Sequence, residues 1–189
     1  MTHPLGDLLL HDPRAVRALA HPVRLACLTR LQRHGPATAT ALSPHVGATP
    51  SVVSWHLRHL ADHGLVRDAD PVEGADRRQR RWAAVAPGWR VDAGDDPEAL
   101  AAGRALEGAL LAASLRDVEA WRRDVEPGLP PAWQRGAGVS DTGLRLTADE
   151  LVALQEAVEG LLAPYLRRTD PPEGARPVRL LRVVMPGPG

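Results

Sequence analysis

The side chains best suited to chemistry lie between residues 49 and 64, Thr-Pro-Ser-Val-Val-Ser-Trp-His-Leu-Arg-His-Leu-Ala-Asp-His-Gly. As a helix, this stretch carries Ser51, Ser54, Trp55, Arg58, His59 and Asp62 on one face. Hydroxyls, a guanidinium and an apolar ring are what reads base edges and thymine methyls in a DNA major groove. The plainer alternative is the solvated outer face of an amphipathic helix. His56, His59 and His63 share the stretch, and 59 and 63 have the i, i+4 spacing that can hold a metal. No third ligand has a clear geometry, so the histidines read as part of a polar helix and no metal is expected. The chain has no Gly-rich phosphate loop, no His/Cys metal set and no nucleophile motif. The carboxylate pairs Asp149/Glu150 and Glu156/Glu159 are explained by helix capping and solvated faces. Neither an enzyme nor a cofactor is expected.

The elements that position this face are marked locally. Thr49 suits an N-cap, Pro50 the first helical position and Gly64 the left-handed residue that ends a helix. Val53, Leu57 and Leu60 recur at i, i+4, i+7 and predict one buried stripe. Upstream, Asp12-Pro13 opens a helix over roughly 13–20 with Val16 and Leu19 inward. His21-Pro22 opens another over roughly 22–34, with Leu25, Leu28 and Leu31 apolar and Gly35-Pro36 as its stop. Cys27 lies in that helix as packing material. A third fits 39–46, with Thr38 or Thr40 near its cap and Ala41, Leu42 and Val46 inward, and Gly47-Ala48 makes the turn into 50–62. A short helix, a turn containing Gly and a helix with a polar outer face form a helix-turn-helix plan.

After Gly64, Leu65-Val66-Arg67 predicts a strand, 71–76 a turn and Arg77 to Val85 the returning strand. Arg77, Arg78, Arg80 and Arg81 crowd one end of this hairpin, where a wing beside the helix would meet phosphates; a solvated charged hairpin is the alternative. Trp82 and Trp89 are expected to anchor the hairpin to the core.

Residues 12–86 resemble the winged helix-turn-helix of the ArsR-type bacterial transcription regulators. The resemblance lies in Leu19-Ala20-His21-Pro22-Val23-Arg24-Leu25, in Val53-Ser54-Trp55-His56-Leu57-Arg58-His59-Leu60 and in Gly64-Leu65-Val66. It implies a cytoplasmic regulator that binds double-stranded DNA sequence-specifically, as a homodimer on a palindromic operator. It places Ser51, Ser54, Trp55 and Arg58 toward the groove and His56 near the backbone. Trp55 departs from the Ser-Tyr-His form of this motif and favours an apolar contact to a thymine methyl. Metal-sensing members carry a cysteine pair or Asp/His ligands on a C-terminal helix; here Cys27 is single and the later predicted helices contain no histidine.

The second half reads differently. Residues 91–94 suggest a linker, and Asp96-Pro97-Glu98 starts a helix reaching about 125 with a wide apolar surface of Leu106, Leu110, Leu111, Leu115, Val118, Trp121 and Val125. Pro and Gly dominate 127–143, and 143–147 reads as a short strand. Thr147 to Glu150 is a capping box. It leads into a seam of Leu151, Leu154, Val158, Leu161 and Tyr165 suited to packing on another helix, and 177–185 reads as a last strand. This half resembles the helix-plus-strand extension of some winged regulators and is expected to dimerise, with a small-molecule effector as a candidate ligand.

Charge agrees with that division. Residues 1–92 hold 12 Arg against 8 Asp and Glu, net +4, and 93–189 hold 11 against 15, net −4. Only the first half is suited to a polyanion. One cysteine excludes an internal disulfide. The start lacks a signal-peptide pattern, and Arg104 and Glu107 interrupt the richest apolar stretch, 98–115, which excludes a membrane span there. The fold class expected is mainly α with a small β-hairpin wing: a winged helix-turn-helix over 12–92, then a helical region with short strands over 94–189. The rival reading keeps the winged fold as a protein-interaction module without DNA function, which the zero net charge of the whole chain supports.

Overall fold

The computed structural model describes residues 6–70, 80–92, 94–166, 168 and 170–188. They fall into two compact units, Met1–Ala113 and Ser114–Gly189. In chain order the first contains β1 (Leu8–Leu10), α1 (Pro13–Leu19), α2 (Pro22–His34), β2 (Ala37–Thr38), α3 (Ala39–Val46), α4 (Pro50–Asp62), β3 (Val66–Asp68), β4 (Arg81–Ala84), β5 (Trp89–Val91) and the first part of α5 (Pro97–Asp124).

Each of the first four helices starts where a side chain satisfies a free backbone N–H. Asp12 accepts from the Arg14 N–H (2.9 Å), Thr38 from Ala41 (3.1 Å) and Thr49 from Val52 (3.5 Å). At α2 the acceptor is Nδ1 of His21, 3.2 Å from the Val23 nitrogen. Pro13, Pro22 and Pro50 take first-turn positions that need no donor. Gly47 and Gly64 have φ of 65° and 68°, the left-handed geometry that lets the chain turn sharply after α3 and α4.

The apolar stripes meet as expected. Leu19 of α1, Leu25, Leu28 and Leu31 of α2, Leu42 of α3, and Val53, Leu57 and Leu60 of α4 share one core with Trp82 of β4, all buried. In α3 the expected inward set is corrected: Leu42 is buried and Val46 half-buried, but Ala41 is exposed. Cys27 is fully buried, and loss of water around the thiolate pushes its thiol up to about 11. Native protein at pH 8 should therefore resist iodoacetamide and react only once denatured. Rapid single-site alkylation of the folded chain would show that α2 is not packed this way.

β2, β4 and β3 form an antiparallel sheet in that order, with Ala37 opposite Trp82 and Val66 opposite Ala84. The β3–β4 pair is the stem of the expected hairpin. Its returning strand starts at Arg81; the turn over 71–76, Arg77 and Arg78 lie outside the described residues. A second pairing was not foreseen: β1 runs parallel to β5, with Leu8 opposite Trp89. Arg90 Nε lies 3.2 Å from Asp7 Oδ2 beside it.

The core of the first unit continues past residue 92. Ala99, Ala102 and Leu106 of α5 are buried in it, and a Cβ on Gly103 would lie only 3.3 Å from Val91 Cγ1. Arg17 of α1 pairs with Glu98 at the start of α5.

The second unit contains the rest of α5, a 3-10 turn at Glu126–Gly128, α6 (Pro131–Gln134) and α7 (Ala148–Leu166). The capping box forms in both directions: Glu150 N–H donates to Thr147 Oγ1 (3.2 Å), and Thr147 N–H to Glu150 Oε2 (2.8 Å). Among the described residues of this unit only Ser114, Glu159 and Ala163 are buried. Of the seam expected on α7, Leu151 and Val158 are half-buried while Leu154, Leu161 and Tyr165 are exposed, Leu161 to 72% and Tyr165 to 68%. Residues 143–147 and 177–185, both expected as strands, belong to no sheet. A strand needs a neighbouring edge for its N–H and C=O groups, and the described residues of this unit supply none. Among the described residues, no helix is long and apolar enough to cross a membrane.

Candidate nucleic-acid interface

The α3–turn–α4 unit presents α4 by burying one stripe and exposing the rest. Ser51, Trp55 and Arg58 are exposed, Trp55 to 55%, and Ser54 and His59 are half-buried. The indole of Trp55 stacks on the imidazole of His59, one turn on, with planes 7° apart and centroids 5.8 Å apart. His59 meets His63 edge to face at 5.0 Å. Arg58 Nε donates to the Ser54 carbonyl at 3.3 Å. The outer surface of α4 is thus a guanidinium and a flat aromatic pair flanked by hydroxyls.

His56 is not part of that surface. The sequence reading places it toward the DNA backbone, but it is only 5% exposed, and its ring lies 4.6 Å from that of His21. Periodicity explains this: residues 53, 56, 57 and 60 follow i, i+3, i+4, i+7, so His56 belongs to the buried stripe. Its Nδ1 has no hydrogen-bond partner among the described residues. Burial first, and then His21, Arg24 and His59, hold its pKa below the ordinary histidine value. His21, absent from the expected site, is the residue that sequence reading missed. The signal was its place before Pro22, where an imidazole nitrogen can cap.

The wing arginines are separated by their partners. Arg80 forks onto Asp68, with Nε to Oδ1 at 2.5 Å and Nη2 to Oδ2 at 3.1 Å, and its guanidinium lies 4.0 Å over the Trp82 ring. That hydrogen bonding holds the Asp68 carboxyl below its usual range. Arg81 donates to the Pro36 carbonyl at 2.8 Å, tying β4 to the end of α2. Among the described residues, no group of three or more His, Cys, Asp and Glu side chains is placed to hold a metal ion.

Residues 19–69 match the family described as a helix-turn-helix domain. The match runs from the end of α1 through β3 and takes in the whole of α2, α3 and α4, about a quarter of the chain. A comparison with curated proteins found no match. Among solved structures, the chain is similar to one described as a possible transcriptional regulator for arsenical resistance, at 29% identity over 56% of this chain and 93% of the other, with a TM-score of 0.32. It is also similar to RV1404 from Mycobacterium tuberculosis, at 17% identity over 77% and 82% of the two chains, TM-score 0.33. A Mycobacterium tuberculosis MarR family protein in complex with salicylic acid matches at 19% identity over 79% and 85%, TM-score 0.30. At such scores these superpositions add no weight, and the helix-turn-helix match and the local geometry stand on their own.

Proposed function

We propose that the protein is a sequence-specific DNA-binding transcription regulator, acting as a dimer on a palindromic operator. The observation that carries this is the outer surface of α4, with Ser51, Trp55 and Arg58 exposed on a helix-turn-helix that matches its domain family over 19–69. In this reading α4 lies in the major groove. Arg58 pairs with a guanine edge, Trp55 packs on a thymine methyl, and Ser51, Ser54 and His59 contact neighbouring polar edges. Arg80 reaches a phosphate by exchanging its Asp68 partner for it; Arg81, Arg77 and Arg78 are further phosphate candidates. The exposed apolar side chains of the second unit support dimerisation there, and two copies of α4 would enter successive major grooves roughly 34 Å apart. Such a protein works where the chromosome is, in the bacterial cytoplasm.

Selection from random duplexes, followed by binding over a salt series, tests the reading. Arg58→Ala should cost about 1–3 kcal/mol on the preferred sequence and relax one position of the motif. Arg80→Ala should weaken all duplexes alike and lower the salt slope by about one unit. If the wing change alters sequence preference and Arg58→Ala does not, the two roles are assigned backwards. One observation favours the rival interaction module: Arg80 and Arg81 both have partners within the protein. That module predicts no enriched sequence.

A further inference from the structure

We infer that His21 and His56 form a positioning pair that holds α4 in its DNA-reading orientation only while both imidazoles are neutral, so that acidification releases DNA. The inference rests on reading α4 as the DNA-facing helix. The pair joins two elements at a critical point. His21 ends the segment that enters α2, His56 sits in the middle of α4, and their rings lie 4.6 Å apart.

Each ring has a nitrogen whose protonation breaks something. Nδ1 of His21 accepts the Val23 N–H and caps α2. A protonated nitrogen has no lone pair to accept with, so charging it there removes the cap. Nδ1 of His56 is buried without a partner among the described residues, so a proton added there creates a buried N–H with no acceptor among them. Among the described residues, the surroundings offer a new cation no carboxylate; the nearest ring besides His21 is the indole of Trp55, edge to face at 4.8 Å. Facing His56 are His21 at the N-cap of α2, Arg24 of α2 and His59 of its own helix, and among the described residues no carboxylate shifts its pKa. Arg24 itself is held against α1 through the Ala18 carbonyl. The N-terminus of α2 adds the positive end of a helix dipole. His21 and His56 are both shifted below the ordinary histidine value, by burial first and then by neighbouring cations and histidines.

The sign follows. A group with a depressed folded pKa binds its proton more readily once released. Stability is therefore full above about 6.5, the unfolded histidine value, and is lost as pH falls through the lower folded values. Relief comes from moving the α4 ring away from the α2 cap, which turns Trp55 and Arg58 out of register. Protonation of the more exposed His59 acts in the opposite direction, since a cation near phosphates strengthens DNA binding.

The full-length protein is titrated from pH 7.5 to 5.5 against its selected duplex at constant salt. Wild-type affinity should fall at least 10-fold. His56→Gln, which cannot take the proton, and His21→Asn, which keeps a good capping oxygen, should each flatten the profile to about 3-fold or less. Affinity that rises on acidification, or variants that retain the wild-type profile, would overturn the inference. Imidazole NMR of the DNA-free wild-type protein decides the matter should the variants fail to fold or should no duplex bind at any pH. The latter result would sink the DNA-binding proposal alone. In that spectrum the His56 ring should titrate below the ordinary histidine value, with α4 amide signals shifting in the same step. A His56 titration at or above that value, or one without an α4 response, refutes the pair.

Discussion

Truncation after Ala113 should leave a folded first unit that is monomeric and binds a full operator at least about 100-fold more weakly than the intact chain. Linking two reading heads makes the second binding event intramolecular, which raises overall affinity by about 10²–10⁴ without a new contact. The second unit is the candidate link, because so little of it is buried. Leu161, Tyr165, Leu115, Val152 and Val178 are all more than half exposed, while only Ser114, Glu159 and Ala163 are inside among its described residues. Affinity for an isolated half-site should barely change, since α4 keeps its surroundings. The position of the cut matters. Truncation after Asp92 would remove Ala99, Ala102 and Leu106 from the first unit's core and confuse loss of folding with loss of dimerisation. Light scattering gives the oligomeric state and duplex titration the affinity. A truncated chain that stays dimeric, or that binds the full operator as tightly as the parent, places the dimer contact in the first unit.

Leu57→Ala should destabilise the first unit by about 2–5 kcal/mol. Leu57 is fully buried and belongs to the same core as the leucines of α1 and α2 and Trp82. Removing most of its side chain loses transfer free energy and leaves a cavity that packed neighbours fill only in part. At roughly 4–8 °C per kcal/mol for a domain of this size, the melting temperature should fall by at least about 8 °C. Val52→Ala, on the same helix but 44% exposed, should stay within about 0.5 kcal/mol. Leu57→Met, close in volume, should cost less than about 1.5 kcal/mol. Thermal melts by circular dichroism separate the three. Equal melts for Leu57→Ala and Val52→Ala would mean that the core does not close around α4.

The helices of the first unit were legible because their signals are local. Asp12-Pro13, Thr49-Pro50, Gly47 and Gly64 act within a few residues of themselves, and in α2 and α4 an apolar residue every third or fourth position marks the face that this unit buries. The same periodicity, applied without exception, also puts His56 inside. It was missed because histidine was read by its chemistry and not by its place in the stripe. Ala41 failed for the reverse reason. A small apolar residue on a short helix can face either way, and the packing of Leu42 settled which.

What the sequence determined by itself is therefore the order and ends of the helices of the first unit, the hairpin stem and the set of side chains that α4 can offer; the short helix Pro131–Gln134 falls in a stretch read as loop. Tertiary structure decided the rest, because each remaining feature joins groups that no short window contains. Parallel pairing of β1 with β5 brings together residues about 80 apart, and no periodicity in Leu8–Leu10 announces it. The α5 residues that complete the first core lie beyond the charge boundary near 92. Arg80 could be counted as a free cation until the hairpin register set Asp68 opposite Trp82 and within reach of its guanidinium. Residues 143–147 and 177–185 have strand-like composition, but backbone pairing is a property of two edges, and the described fold of one chain gives them no second edge. His21 and His56 met because the start of α2 packs against α4, which left one imidazole a cap and the other buried with a nitrogen that has no partner among the described residues.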